Sequence, residues 1–316
     1  MTRPLTLLLV LLLTLPAGGA PRKNGFDLEG ALLPAEAIRP GGPPRDGIPA
    51  IDRPRFDTPR QATWLHPDDR VLGLEHDGAV RAYPIRILDW HEIVNDRIGA
   101  DLVVVSYCPL CGTGVAFVPP DSRESGGFGV SGLLYNSDVL FYDRASQSLW
   151  SQILMQAVSG PRKGERLTPL PLEHTTWRDW RDRHPDTRVL SRDTGHRRNY
   201  DRGPYGDYAQ RDDLYFPVSH LDRRYPPKER VLGIVIDGDP RVWPFSELAG
   251  AGALIHDCVG GQKVEVRFHK MNGSARLLDR DGRPLPAVTG YWFAWMAFHP
   301  DSRVFTAHET SAAPMD

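Results

Sequence analysis

Two cysteines three positions apart carry the clearest chemistry in this 316-residue sequence. They lie in the segment Cys108-Pro109-Leu110-Cys111-Gly112. Thiols at this spacing can bind a metal ion, cycle as a redox dithiol or close a small disulfide. The choice between these three chemistries therefore decides most of the functional question.

The elements around the pair favour a metal ion. Strands are predicted over 102–107 and 115–118, so the two cysteines lie in a hairpin turn, where both sulfurs can point the same way. A redox dithiol instead relies on a helix N-terminus beneath the cysteines, and no helical pattern follows Cys111. A plain disulfide stays open as well if the protein is exported.

Two cysteines supply only two ligands, so we expect histidine to complete a metal site. His91 is the first candidate, because it lies between a predicted helix and the strand that ends at Cys108. Glu92 would orient its ring or accept a proton. The alternative for His91 is a hydrogen-bonded ring that holds its loop in place. His299 is a further candidate ligand, although core packing explains the aromatic run before it.

Two thiolates with one or two imidazoles suit copper or zinc. Iron–sulfur clusters generally need four cysteines, and calcium needs oxygen ligands. We therefore expect a copper or zinc ion, with a slight preference for copper in an exported site. The third cysteine, Cys258, is interpreted as a buried free thiol.

The N-terminus indicates export. Arg3 precedes an apolar run over 5–15 and a small-residue tract over 17–20, so residues 1–20 are predicted to be a signal peptide. The run is shorter than the roughly 20 residues that a membrane-spanning helix needs, and no permanent span is expected. A secreted or periplasmic location follows. The formal net charge of -2 offers no basic surface for nucleic acid.

The remaining chain divides into a Pro- and Gly-rich extended lead-in over 21–60 and a single domain over 61–316. Turn pairs at Asp77-Gly78 and Asp237-Gly238, each between apolar runs, predict two hairpins. The similarity between 70–120 and 230–280 suggests an internal duplication, with His269 at the place of Cys108. The sum predicts an α+β fold of mainly antiparallel sheet with short helices.

The motifs of this chain resemble those of the domain of unknown function family 3179. The resemblance lies in six segments: 46–52, 90–96, 107–113, 128–132, 142–144 and 148–152. It implies an exported or membrane-associated protein that carries the cysteine pair, and it implies no particular substrate or reaction.

Six polar residues follow the cysteine turn along the chain. They are Asn136, Asp138, Asp143, Arg144, Ser151 and Gln152. Turn chemistry and a structural Asp–Arg pair explain each of them singly. As a group they are expected to line one cleft with the cysteines and to contact a substrate.

Three functions remain open on the sequence alone. The first is an exported metal-binding protein that handles copper or zinc or uses it in redox chemistry. The second is a thiol enzyme in which one cysteine attacks a disulfide or an electrophile, with His91 and Glu92 as base and orienting group. The third is a binding module whose cysteines form a structural disulfide.

Overall fold

The computed structural model describes residues 21–121 and 126–308. Strands make up 40% of it and helices 12%. Nearly all strand pairs are antiparallel, which confirms the predicted α+β class. The predicted signal peptide, residues 1–20, lies outside the described residues. Within the described ranges, no helix has the length and apolar character needed to cross a membrane.

The strands of the described residues are short. In chain order they are β1 (Arg22–Lys23), β2 (Phe26–Asp27), β3 (Arg39–Pro40), β4 (Phe56–Asp57), β5 (Arg70–His76), β6 (Ala79–Pro84), β7 (Ile93–Ile98), β8 (Asp101–Cys108), β9 (Thr113–Val118), β10 (Phe128–Tyr135), β11 (Asp138–Asp143), β12 (Leu149–Ser151), β13 (Gln156–Ser159), β14 (Thr168–Leu170), β15 (Leu172–Thr176), β16 (Arg188–Leu190), β17 (Arg230–Ile236), β18 (Asp239–Pro244), β19 (Leu254–Val259), β20 (Gln262–His269), β21 (Ser274–Asp279), β22 (Val288–Tyr291) and β23 (Arg303–Val304).

The described residues form four α-helices of seven residues each. They are α1 (Ile85–His91), α2 (Trp177–Arg183), α3 (Phe245–Ala251) and α4 (Trp292–Phe298), with a single 3₁₀ turn over Tyr208–Gln210. Thr176 caps α2, because its side chain accepts a hydrogen bond from the Asp179 amide. Helices of two turns have little stability of their own, so packing against the sheets holds them.

The described strands pair into five sheets. The largest has the order β23-β18-β17-β22-β9-β8-β7, with β14 added to β9. The others have the orders β15-β5-β6-β16-β4, β13-β12-β11-β10-β3, β19-β20-β21 and β1-β2. Strand β22 pairs with both β17 and β9, so the largest sheet joins the two predicted repeats.

The two predicted repeats contain the same elements in the same order. The first module (residues 70–118) runs β5-β6-α1-β7-β8-β9, and the second module (residues 230–279) runs β17-β18-α3-β19-β20-β21. Both predicted hairpins are present, with Asp77-Gly78 and Asp237-Gly238 at positive φ as a two-residue turn requires. That one module arose from the other by duplication stays a prediction.

A tryptophan packs on a strand glycine in each module. A Cβ at Gly73 would lie 2.2 Å from the ring of Trp180, and one at Gly233 would lie 2.5 Å from that of Trp295. The rings come from α2 and α4, which follow β15 and β22, the partners of β5 and β17. Only glycine permits this close approach of ring to backbone.

The two modules differ in how their strands are covered. All but the first residue of β8 is buried, whereas the residues of β20 largely alternate between buried and more exposed positions. An aromatic cluster packs the β10–β13 sheet onto the first module, with Phe117 stacked 5.3 Å from Phe141. Cys258 lies on β19 and is exposed, so its interpretation as a buried thiol is wrong.

Candidate metal centre

The cysteine turn joins β8 to β9 in the largest sheet, where β8 lies next to the edge strand β7. Strand β8 ends at Cys108, and the amide of Cys111 donates to the Cys108 carbonyl at 3.2 Å. Gly112 has φ of +61°, and a Cβ there would lie 2.8 Å from the ring of Tyr291. The turn therefore needs glycine at this position for both its conformation and its packing.

Both cysteines are free thiols, and both are buried. A third side chain joins them: one ligand atom each from Cys108, Cys111 and Asp138 lies within 4.8 Å of the other two. This trio is the cysteine–aspartate cluster. Asp138 is the first residue of β11 and follows Asn136 and Ser137, which both have positive φ. The tight turn between β10 and β11 thus aims Asp138 at the thiols.

Asp138 is fully buried, and the thiols of Cys108 and Cys111 lie beside its carboxyl as weak hydrogen-bond partners. Its Oδ2 accepts a hydrogen bond from the Ile153 amide at 3.2 Å, while Oδ1 has no partner of good hydrogen-bond geometry. A buried polar atom without such a partner costs free energy, and a bound cation would remove this cost. The carboxylate lies beside both thiols, so its position fits a metal ligand.

Burial governs the protonation of the cluster. It raises the pKa of the Asp138 carboxyl to about 7 and the pKa of both thiols above the usual range. Nearby carboxyl groups act in the same direction on Cys108. Without a cation both thiols are therefore held neutral while the carboxyl titrates near pH 7, and a metal ion would have to displace the protons that remain.

The structure does not bring His91 into the cysteine–aspartate cluster. Its Nδ1 lies 2.7 Å from the Pro49 carbonyl and its Nε2 lies 2.7 Å from the Tyr200 hydroxyl. Because a carbonyl only accepts, Nδ1 carries the proton and Nε2 accepts from Tyr200. Burial lowers the pKa of His91 to about 4. Both nitrogens are thus engaged in holding loops together, and His91 does not belong to the cysteine–aspartate cluster.

His299 is also outside the cluster. Its ring packs 4.4 Å from that of Trp295, just as His184 packs 4.1 Å from Trp180 at the end of α2. Burial lowers the pKa of His299 to about 4. The repetition of this tryptophan–histidine contact indicates a structural role at the end of each helix.

Glu92 lies close to the cluster in an unusual backbone conformation. It ends α1 with φ of 57° and ψ of -24°, a left-handed conformation that disfavours side chains. The Tyr205 hydroxyl donates to its Oε1 at 3.2 Å. Burial raises the pKa of Glu92 to about 7, and the charges of Asp138 and Asp89 add to the shift. Its predicted part as a proton acceptor stays a prediction.

The segment after residue 200 brings two tyrosines close to the cysteine–aspartate cluster that no sequence motif indicated. Tyr205 contacts Glu92, and Tyr208 is buried in the same core cluster as both cysteines. The Tyr208 hydroxyl has no hydrogen-bond partner among the described residues. The ring lies 3.6 Å from the Lys228 ammonium, which fixes it in place. No local motif marks these tyrosines, because about 100 residues separate them from the cysteine turn.

The other polar residues after the turn have mainly structural contacts. Asp143 accepts from the Trp150 indole, and Arg144 pairs with Asp52 at 2.7 Å rather than with Asp143. Gln152 accepts from the Thr113 hydroxyl at 2.5 Å and donates to Ser106, so it braces both strands of the cysteine hairpin. Of the six predicted cleft residues, Asp138 is the one that joins the cysteines.

The comparisons with known proteins give a family and no function. The profile described as "Protein of unknown function (DUF3179)" matches residues 45–302, which is most of the chain. The chain therefore belongs to this family, as its motifs predicted. Comparison with curated proteins and with solved structures returned no match.

Proposed function

We propose that this protein binds one zinc ion outside the cytoplasm through Cys108, Cys111 and Asp138. The observation that carries the proposal is the burial of two free thiols and a carboxylate within 4.8 Å of one another. Sulfur and carboxylate oxygen are both ordinary zinc ligands. The signal peptide that the sequence predicts over residues 1–20 supports the location.

The third donor changes the expected metal from copper to zinc. Copper(I) prefers an all-soft donor set of thiolates and thioethers, whereas zinc accepts a mixed sulfur and oxygen set. Asp138 supplies a hard oxygen where the sequence had suggested an imidazole. The zinc assignment therefore rests on a residue that only the folded chain brings to the cysteines.

Three protein ligands leave one position of a tetrahedral site open, which is the pattern of zinc sites that bind water or substrate. Glu92 and Tyr208 are polar groups near the thiols, because the charge of Glu92 acts on Cys108 and those of both cysteines act on Tyr208. The Tyr208 hydroxyl has no hydrogen-bond partner among the described residues. In this proposal Glu92 would hold a proton, and the Tyr208 hydroxyl would donate a hydrogen bond to an oxygen bound at the open position. Metal binding with a reactive fourth position is the function that this geometry supports best.

Metal analysis of the mature protein, purified from its own compartment, tests the proposal. We expect about one zinc per chain, lost in Cys108→Ser and strongly reduced in Asp138→Asn. Cys258→Ser is the matched control, because that thiol is exposed and distant in sequence from the site. His91→Asn should also retain the metal. A folded wild type that takes up no zinc on titration would refute the proposal.

A second candidate, thiol–disulfide exchange, is favoured by one observation. The Asp138 carboxyl lies beside both thiols and is positioned to accept a proton from one of them. In that reaction Cys108 and Cys111 would form a disulfide, and a disulfide of the partner would gain two electrons and two protons. Burial opposes this function because it raises both thiol pKa values. Rapid alkylation of metal-free protein near pH 7 would favour exchange over zinc.

A further inference from the structure

A cavity of about 460 Å³ lies beside the cysteine–aspartate cluster. Its walls come from the end of α1, from the loop over 41–48 and from the segment over 204–216. This volume is in the range of pockets that bind small molecules. Aromatic and aliphatic side chains form most of the wall, including Trp90, Tyr205 and Phe216.

The residues that line the cavity include sequence neighbours of Cys108, Cys111 and Asp138. Leu110 lies between the two cysteines in sequence, Val139 follows Asp138, and both line the cavity. Glu92 lines it as well, and its charge acts on Cys108. A molecule in the cavity would therefore lie next to the proposed metal ion.

Two acidic side chains face the cavity without a basic partner. Asp89 and Glu92 are three positions apart at the end of α1, so they lie on the same side of the helix. Within the described residues, neither carboxyl forms an ion pair with a lysine, arginine or histidine. Arg198 also lines the cavity, but its guanidinium lies 5.6 Å from the Trp90 ring. The wall thus combines uncompensated acids with an aromatic face that already attracts a cation.

The backbone of Glu92 indicates that its side chain is kept for function. A left-handed conformation costs a residue other than glycine about 1 kcal/mol or more, and helices usually end in glycine there. The second module has Gly252 at the equivalent end of α3. Strain retained at a cavity wall beside a ligand cluster is typical of functional positions.

We propose that this cavity binds a small organic amine with an aromatic or branched apolar body. The ammonium group lies between the carboxylates of Asp89 and Glu92, and the body packs against Trp90, Tyr205 and Phe216. A carboxylate ligand is disfavoured because it would meet two acids at the same place. That the amine is the substrate of the zinc centre rests on the proposed function; its binding in the cavity does not.

Isothermal titration of the mature chain with benzylamine, benzyl alcohol and phenylacetate tests the inference. The three probes share a benzyl group and differ in the charge of the head group. We expect benzylamine to bind at least about tenfold more tightly than the other two, the equivalent of one buried charge interaction. Asp89→Asn and Glu92→Gln should each remove about this advantage. Asp68→Asn, at an exposed acid, should leave it unchanged.

Two further variants distinguish a failure of the amine-binding inference from a failure of the zinc proposal. Ile48→Trp fills the cavity without touching the acids, so it should abolish binding of every probe. Cys108→Ser removes the metal site, and benzylamine binding that persists there assigns the pocket independently of zinc. Equal affinity for phenylacetate, or benzylamine binding that survives both acid variants in folded protein, would overturn the inference.

Discussion

The two modules share their elements but differ in chemistry at two equivalent places. The first module ends α1 with Asp89-Trp90-His91-Glu92, and the second ends α3 with Ala249-Gly250-Ala251-Gly252. At the following hairpin the first has Cys108 and Cys111, and the second has His269 and Asn272. The reactive groups therefore lie together at one end of the first module.

The two hairpin turns also differ in how far other elements of the fold cover them. In the first hairpin turn Leu110 is 7% exposed, whereas Met271 in the second turn is 88% exposed. The sheet of β10–β13 covers the first turn and brings Asp138 to it. In the second turn the His269 ring accepts a hydrogen bond from the Asn272 amide at 3.2 Å and remains exposed. The two modules share the same order of elements, but only the first has a buried turn, because the β10–β13 sheet covers it.

The largest expected effect is on metal affinity. Asp138→Ala removes a ligand, so zinc affinity should fall by at least about 100-fold, beyond the loss that an outer partner of a metal ligand usually causes. Competition with a chromophoric chelator measures this. Grafting the pair onto the second turn, as His269→Cys with Asn272→Cys, should not create a site of comparable affinity, because that turn is exposed, with Met271 88% exposed. Equal affinity of the graft would contradict the role of coverage.

The glycine–tryptophan contacts should affect both modules alike. Gly73→Ala and Gly233→Ala place a Cβ within 2.5 Å of a ring, and overpacking of this kind costs about 3 kcal/mol. The free energy of unfolding in urea measures the loss. Gly126→Ala is the control, because its Cβ would find the nearest atom at 3.8 Å. A large loss in one module alone would show that the equivalence of the two contacts is superficial.

Acid should destabilise the first module through His91, whose counterpart in the second is Ala251. The folded pKa of about 4 is below the unfolded value of about 6.5. The unfolded state therefore binds more protons between pH 6.5 and 4, and this contribution to stability is present above pH 6.5 and lost as the pH falls. We expect a loss of about 3 kcal/mol across this window.

Comparison of the wild type with His91→Asn isolates the contribution of His91 to the pH dependence of stability. Burial raises the pKa of Asp89 and Glu92 to about 7, so their contribution has the opposite sign and falls as the pH rises from 4 to 7. Both proteins retain these acids, and the difference between their unfolding curves reports the histidine. Parallel curves over pH 4 to 6.5 would exclude the buried neutral His91.

The smallest effect concerns the two helix ends. Glu92→Gly should stabilise the metal-free protein by about 1 kcal/mol, because glycine adopts the left-handed conformation without strain. Gly252→Ala should lose a similar amount, since its φ is +119°. Thermal unfolding measures both. If Glu92→Gly instead destabilises the protein, its contact with Tyr205 outweighs the strain.

The local signals in the sequence predicted much of the fold. The Asp77-Gly78 turn between apolar strands predicted its hairpin, because a two-residue turn with positive φ has few compatible residues. The cysteine turn was correctly placed between β8 and β9. These features depend on residues within a few positions of one another, so their spacing carries the information.

The sequence by itself determined the family, the two hairpin frameworks and the position of the cysteine pair, since each is written in neighbouring residues. The tertiary structure decided which partner meets the thiols. Asp138 follows Cys108 by 30 positions and reaches it only because the β10–β11 hairpin packs over the turn. His91 is closer in sequence, yet buried carbonyl and hydroxyl groups engage both of its nitrogens. Packing of distant layers, which no local pattern encodes, selects the candidate ligands.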